Sequence, residues 1–392
     1  MTARSPGPIT SGLAVALALA AGAAACAEPR DRITDPASPQ AAAIDGLWTL
    51  SLVLGVTVWV VVMALLAVPV WRSSRRRGGG AGGAEPSDAP TGAVAANTPA
   101  DRTVPRGGAV AEHRVRDPGL DEPLATADPR RAREAGADHP ARRRLVWIGG
   151  VITPAVILVV LLVASGRVGA MTAHVERDGE LVIDVVGHMF WWEVHYPEEG
   201  VTTANEIHVP VDRPVRLNLT TEDVIHSFWI PRVHGKIDMI PGRENVLTFE
   251  PTRTGRFRGQ CAEYCGIAHA QMVAFLEVQP PHEFDAWLEA QRRDAVEPDT
   301  PRTVEGQRVF LEAGCASCHA VRGTAAVAGV GPDLTHLMSR QTIAAGIAEN
   351  RRGELERLIV DPWGVKPGNP MPPTPLDDDE LTALLDYLET LQ

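Results

Sequence analysis

The chain has 392 residues, 45% of them hydrophobic, which is enough for two or three domains at about 150 residues each with apolar material left for membrane spans. A formal charge of −12, with only two lysines (Lys236 and Lys366) among 37 basic residues, excludes a nucleic-acid binder, which needs basic stripes against phosphate. Five cysteines, at 26, 261, 265, 315 and 318, exclude a disulfide-dense scaffold.

Residues 1–26 have the anatomy of a signal peptide: one side-chain charge (Arg4), an apolar stretch over 13–25 too short to span a bilayer comfortably, and three alanines before Cys26. Small residues before a cysteine also suit lipoprotein processing with Cys26 acylated, although Ala23 stands where a leucine is expected. An ordinary signal peptide with an incidental thiol is the alternative. After an extracytoplasmic segment, 27–46, two uncharged runs read as transmembrane helices. Residues 47–71 would make ~37 Å of helix and residues 145–166 ~33 Å. Both reach across a hydrocarbon core of roughly 30 Å.

Trp48, Trp71 and Trp147 sit at the ends of these runs, where amphipathic rings prefer the interface. Arg72, Arg75, Arg76 and Arg77 follow the first run, and Arg142, Arg143 and Arg144 precede the second. Positive-inside reasoning therefore places 72–144 in the cytoplasm, with both ends of the hairpin outside. That loop is rich in Gly, Pro, Ala, Arg and Asp and nearly free of aromatics, so it reads as disordered.

Beyond residue 166 two modules are expected. Over 167–290 the short β-rich runs LVIDVVG, FWWEV, EIHVP, VRLNLT, NVLTFE and AFLEVQP are separated by turn residues at the spacing of a Greek-key sandwich or barrel. After a Pro- and charge-containing linker at 291–302, residues 303–392 change to helical spacing in EGQRVFLEAG, RQTIAAGIAENR, GELERLIVD and DDELTALLDYLETL.

The β module contains CAEYCGIAHAQM, with His226 upstream in DVIHSFW. Cys261, Cys265, His226, His269 and Met272 form a soft nitrogen–sulfur set suited to copper. A mononuclear blue-copper site needs one cysteine; a second lets two ions share both thiolates, each taking one imidazole. Met272 then completes one side and the backbone carbonyl of Glu263 the other. Zinc and a Cys261–Cys265 disulfide compete, but methionine is a poor zinc ligand, and a disulfide leaves His269 and Met272 without a reason for their offsets.

These residues carry a resemblance. C-x-E-x-C-x-x-x-H-x-x-M, VIHSFWIP, GHMFWWEVHYP, the IPGR at 240–243 and the helix hairpin before the β module resemble subunit II of haem–copper cytochrome c oxidase over residues ~45–285, outside the loop. The resemblance implies a cupredoxin domain whose binuclear copper centre is held by His226, Cys261, the Glu263 carbonyl, Cys265, His269 and Met272. It also implies that the Glu263 carboxylate helps bind magnesium at the contact with subunit I. The family often has a tryptophan, an electron entry point from soluble cytochrome c, where this chain has Phe190. Phe190, Trp191 and Trp192 are the electron-transfer aromatics that follow from this. Many members carry an acidic residue for proton uptake just before the second span; this chain has Arg142 to Arg144, so no proton-path residue is carried over.

The α module contains CASCH, the attachment motif of a c-type haem: Cys315 and Cys318 for thioethers and His319 for the iron. A thioredoxin-like redox pair is the alternative, but no βαβ pattern accompanies the motif. A haem transferring electrons at fairly high potential takes a methionine as sixth ligand. Met371, presented by the prolines of GNPMPP, is the expected ligand. Met338, the other candidate, fits an apolar helical turn better as core, and His336, a possible ligand, reads rather as a surface or haem-edge residue. Residues ~303–392 resemble small class I cytochromes c, GPDLTHL included.

The whole resembles the caa-type oxidase subunit II with its cytochrome c fused in cis. That resemblance implies one haem c that accepts electrons from a soluble or complex-bound cytochrome and two coppers that pass them to the haem of subunit I, where oxygen is reduced to water. Subunit I, subunit III and membrane lipid are the implied partners. A tethered cytochrome meets its acceptor at high effective concentration. The alternative is a membrane-tethered cupredoxin–cytochrome relay or copper-delivery protein without an oxidase partner.

Overall fold

A computed structural model describes residues 34–78, 140–174 and 176–392. The expected signal peptide, Cys26 and most of the 72–144 loop lie outside these residues. The chain divides into two units: Leu52–Leu162 carries most of the long apolar helices, and Met1–Ser51 with Val163–Gln392 carries the rest.

Helix α1 (Pro39–Gly78) and the continuous run of α2 (Pro140–Trp147), a π turn (Ile148–Ile152) and α3 (Thr153–Thr172) are long and apolar enough to cross a membrane. Both extend beyond the expected 47–71 and 145–166, because the flanking polar residues continue the helix past the apolar length. Trp59, Leu65, Leu158 and Leu162 are all exposed, so neither helix has a polar face to turn to water. Pro154 has no N–H to return to the carbonyl one turn back, and the hydrogen-bond ladder slips into the π turn just before it.

The β module is a sandwich of two five-stranded sheets. Its strands are β1 (Leu181–His188), β2 (Trp191–Tyr196), β3 (Val201–Ala204), β4 (Glu206–Pro210), β5 (Val215–Thr221), β6 (His226–Trp229), β7 (Ile237–Met239), β8 (Asn245–Phe249), β9 (Gly255–Cys261) and β10 (Val273–Gln279). One sheet runs β3-β2-β1-β5-β8 and the other β4-β10-β9-β6-β7; β1–β5 and β4–β10 are parallel pairs and the others antiparallel. Strict alternation in β1 and β5 turns Ile183, Val185, Leu217 and Leu219 inward and leaves the residues between half-buried. They meet Ile207, Phe228, Phe257 and Leu276 from the facing sheet in one core. Trp192 is fully buried there, and removing so large a side chain from water contributes about 2–3 kcal/mol. Helix α4 (Pro281–Gln291) closes one end, inserting Phe284 and Leu288 and stacking Trp287 on His208. The chain before α1 is pinned to the same sandwich by Asp35, which accepts from Arg232 and Arg253.

The C-terminal module is built on α5 (Pro301–Glu312) crossing α8 (Asp378–Leu388). Each has a capping box at its start, Thr300 with Thr303 and Asp377 with Glu380. Gly306 makes the crossing possible: a Cβ there would lie 2.0 Å from the Ala383 carbonyl oxygen. Phe310, Leu355, Ile359, Leu384 and Tyr387 form the core, with α6 (Arg352–Val360) and the single turn α7 (Pro362–Val365) alongside.

One expected helix does not form. Residues 340–351 instead make a hairpin of β11 (Thr342–Ile343) and β12 (Ala348–Glu349). Ala344 and Ala345 take φ of 53° and 57° at its tip, a conformation costing ~1 kcal/mol or more per non-glycine residue. The Glu206 carboxylate, reaching over from β4, accepts hydrogen bonds from the amides of Gln341 and Thr342, so tertiary partners override the helical periodicity.

Candidate metal centre and haem-attachment site

The strand ends of the second sheet bring the copper candidates together. His226 opens β6, Cys261 closes β9, and Met272 immediately precedes β10. Phe228 pairs with Cys261 across the ladder, and the Cys261 amide donates to the Met272 carbonyl at 3.0 Å, closing the 262–271 loop at its base. Within it His269 N–H donates to the Gly266 carbonyl.

Cys261 Sγ and Cys265 Sγ stand 3.8 Å apart. His226 Nδ1 is 3.8 Å from the first sulfur and His269 Nδ1 3.6 Å from the second. Met272 Sδ lies 3.9 Å from Cys265 Sγ, and the Glu263 carbonyl oxygen lies 3.1 Å from Cys261 Sγ. All six expected donors thus converge on one pocket, with His226, Cys261, Cys265 and Met272 buried. A sulfur–sulfur bond needs about 2.05 Å, so this is a pair of free thiols. Two thiolates between two imidazoles, with a thioether and a carbonyl at the margins, fit two soft metal ions better than one. The Cys265 hydrogen bond and His226 pull the Cys261 thiol well below its ordinary range against the effect of burial, while the same pairing and burial push Cys265 up.

Asp223 is a participant the sequence reading missed. Its Oδ1 takes the His226 Nε2 hydrogen at 2.8 Å, leaving Nδ1 toward the sulfurs, and its own position is held by the amides of Met189 and Val224. Burial opposes the His226 charge, but the Cys261 and Asp223 contacts outweigh it and raise its pKa. A carboxylate three residues before the histidine in DVIH was the available signal.

The three aromatics take separate positions. Trp192 meets the His226 ring edge-on at 5.9 Å. Trp191 stacks on His188 at 4.5 Å and packs with Ala204 and Ala345. The Phe190 ring is buried in the sandwich core, beside the copper loop. The Glu263 carboxylate is exposed and lies 3.8 Å from Lys236 Nζ.

In the C-terminal module a tight turn over Cys315–Ser317 brings Cys315, Cys318 and His319 together, with the amides of Cys318 and His319 both donating to the Cys315 carbonyl. His319 Nδ1 donates to the Pro332 carbonyl at 2.8 Å, so Nε2 is the nitrogen left with a lone pair. Burial lowers the His319 pKa and favours that neutral ring. Gly331 leaves the imidazole its space, since a Cβ there would lie 2.7 Å from Cε1. Val327 and Val330 stay exposed in the adjoining segment and provide an apolar border. Two thiols, a ring with a free nitrogen and an apolar border fit a covalently attached haem.

Met338 packs against the module core and its amide donates to the Leu391 carbonyl, as expected of a core residue. Met371 is half-buried outside that core, its amide turned to Asn369 Oδ1. His336 does not take the surface placement that is one of its two expected positions. It is buried rather than at the surface, with Nδ1 2.6 Å from the Gln392 carbonyl and Nε2 2.9 Å from the Arg293 carbonyl, because it ties the C-terminus to the segment after α4.

Residues 199–278 match the family model for the periplasmic domain of cytochrome c oxidase subunit II, and residues 303–392 match that for cytochrome c. The chain is 38% identical over 247 residues to cytochrome c oxidase subunit 2 of Alkalihalophilus pseudofirmus, covering 62% of this chain and 71% of that one. To the protein of the same name in Bacillus subtilis it is 34% identical over 264 residues, covering 63% and 74%. Among solved structures, the periplasmic domain of subunit II of the Bradyrhizobium japonicum cytochrome oxidase is 34% identical over 30% of this chain and 96% of its own, with a TM-score of 0.29.

Proposed function

Because the chain belongs to the cytochrome c oxidase subunit II family, with a cytochrome c domain fused behind the copper domain, we propose that it is the electron-input subunit of a caa-type oxidase. As a family member it is a membrane-anchored part of an oxidoreductase complex that binds copper and haem c and works with other oxidase subunits. On our reading two coppers are held by His226, Cys261, the Glu263 carbonyl, Cys265, His269 and Met272. Haem c is held by Cys315, Cys318, His319 and Met371. When bound, these groups supply one-electron transfer from a cytochrome donor through haem c and copper to the haem of subunit I. Both soluble modules then face outside the bacterial plasma membrane and the 72–144 loop faces the cytoplasm. Glu263 contributes to a magnesium site against subunit I, and subunit III completes the complex.

One side chain and one backbone carbonyl do the positioning. Asp223 holds the His226 Nε2 hydrogen so that Nδ1 is presented, and the Pro332 carbonyl holds the His319 Nδ1 hydrogen so that Nε2 is presented. Water is kept from the sulfurs by burial: Cys261 and Cys265 are each 4% exposed and Met272 1%. The observation that most supports the reading is the convergence of two thiols, two imidazoles, a thioether and a backbone carbonyl in one pocket, in the same folded unit as an ordered CASCH turn.

The test is purification of the tagged full chain from its own membranes. A large haem-bearing subunit should accompany it, and the preparation should consume oxygen when given a reduced cytochrome. A chain that isolates with copper and haem but without such a partner and without oxygen consumption would contradict the reading in favour of a free-standing relay.

A further inference from the structure

The two modules expected to be joined by a linker are also held together by buried contacts. Their core is the 341–349 hairpin, which projects from the C-terminal module onto β4, β10 and Trp191. Glu206 is 1% exposed and accepts from the Gln341 amide at 3.1 Å, the Thr342 amide at 3.0 Å, Thr342 Oγ1 at 2.8 Å and Arg256 at 3.0 Å. Arg340, buried beside it, donates to Thr203 Oγ1 on β3 and to the Asp333 carbonyl. The Val273 amide donates to the Ala345 carbonyl at 3.1 Å, and Ala345 packs with Trp191. A buried carboxylate is tolerable only when fully hydrogen-bonded, and three of the four donors to Glu206 come from the hairpin. The left-handed backbone at Ala344 and Ala345 is of the kind that persists where its surroundings over-determine it.

The second contact is Lys366. It is 3% exposed, and its Nζ donates to the Phe190 carbonyl at 2.6 Å and the Ala344 carbonyl at 3.1 Å. It therefore ties together the hairpin tip, the start of the segment that carries Met371, and the residue beside the copper loop. That closeness shows at Gly266 and Gly368. A Cβ at Gly266 would lie 3.0 Å from the Phe190 ring, and one at Gly368 would lie 2.9 Å from Ile267 of the copper loop.

We infer that Lys366 is a positioning residue which, with the 341–349 hairpin seated on Glu206, locks the cytochrome module onto the copper loop at one fixed geometry. The module is docked and does not swing on its connector. The inference rests on the proposed electron-input role for its purpose, but its test reads the docking itself.

The test uses the only two lysines of the chain as probe and control. The purified cofactor-loaded full chain is treated with an amine-reactive acetylating reagent, and acetylation at Lys366 and at half-exposed Lys236 is followed by peptide mass spectrometry. Were the Lys366 amine as open to the reagent as that of Lys236, the two would label alike. Docking predicts instead that Lys366 reacts roughly tenfold or more slowly than Lys236, at a rate set by opening of the interface. Glu206→Ala should bring Lys366 labelling up toward that of Lys236, with Trp191→Ala as a second variant should the first not fold.

Lys366→Met should slow haem-to-copper electron transfer with the haem potential and copper spectrum unchanged, and Lys366→Arg should restore part of the rate. Equal labelling of the two lysines in the unaltered chain would overturn the docking. So would protection of Lys366 that survives in well-folded Glu206→Ala and Trp191→Ala, since its burial would then belong to the C-terminal module alone. Absence of copper or haem, measured separately, would count against the proposed function and not against the docking.

Discussion

His226 and His319 are prepared in the same way: each has its far nitrogen occupied by a fixed acceptor, so only one nitrogen is left to face a cofactor. Outer partners of this kind typically contribute 10–100-fold in metal affinity, and Asp223→Ala is expected to weaken copper binding by about that factor, read by competition with a chelator. Cys265→Ser is expected to remove the binuclear centre while covalent haem remains, measured as copper per haem. Met371→Ala should lower the haem potential and open the sixth position to an added ligand such as imidazole, whereas Met338→Ala should cost stability without moving the potential. If Met338→Ala gives the ligand phenotype, Met371 is not the ligand. The ligands were legible because metal and haem chemistry demands particular residue types at short, fixed offsets. Glu206 and Lys366 were not, because their roles depend on strands and loops far apart in sequence, whereas Asp223 was missed although it stands only three residues before His226.

At the level of elements, alternation foretold β1 and β5, and helical spacing foretold α5, α6 and α8, since each buries one face against a core of its own module. The segment 340–351 carries the same helical spacing yet forms a hairpin, because Glu206 on β4 accepts from its Gln341 and Thr342 amides and the Val273 amide on β10 donates to its Ala345 carbonyl, partners that leave no periodic trace. The α5–α8 crossing depends on Gly306. Gly306→Ala should destabilise the C-terminal module by about 1–3 kcal/mol, seen as a lowered thermal midpoint of the haem signal with the copper signal unaffected.

The β1–β2 pair carries a pH dependence. Burial works against the Glu193 charge, but hydrogen bonds from His188 and His195 outweigh it and hold the carboxyl at about 2. Its ordinary value is 4.5, so this stabilisation is complete above 4.5 and is lost as the pH falls toward 2. His195 is raised chiefly by the same Glu193 bond, so its part is complete below 6.5 and is lost as the pH climbs through its raised value. Glu193→Gln should therefore flatten the acid side of the thermal-midpoint profile. A variant profile parallel to that of the unaltered chain between pH 5 and 2.5 would contradict this.

Taken whole, the chain joins membrane helices, a copper-binding sandwich and a haem-binding module that shares one folded unit with the sandwich. The order of these parts was readable from composition and period. The docking was not, because residues 291–302 have the composition of a flexible connector although Arg322 fastens to the carbonyls of Gln291 and Arg293 within it. A fixed module means that electron entry should follow the haem. Removing residues 303–392 should therefore depress turnover with a low concentration of added cytochrome severely while copper persists. The most direct measurement of the central claim is electron paramagnetic resonance of the oxidised full chain, combined with copper and covalent haem analysis. The account predicts two coppers per haem, with one unpaired electron shared equally by both through the Cys261 and Cys265 sulfurs. A spectrum of a single isolated copper, or one copper per haem, would contradict it.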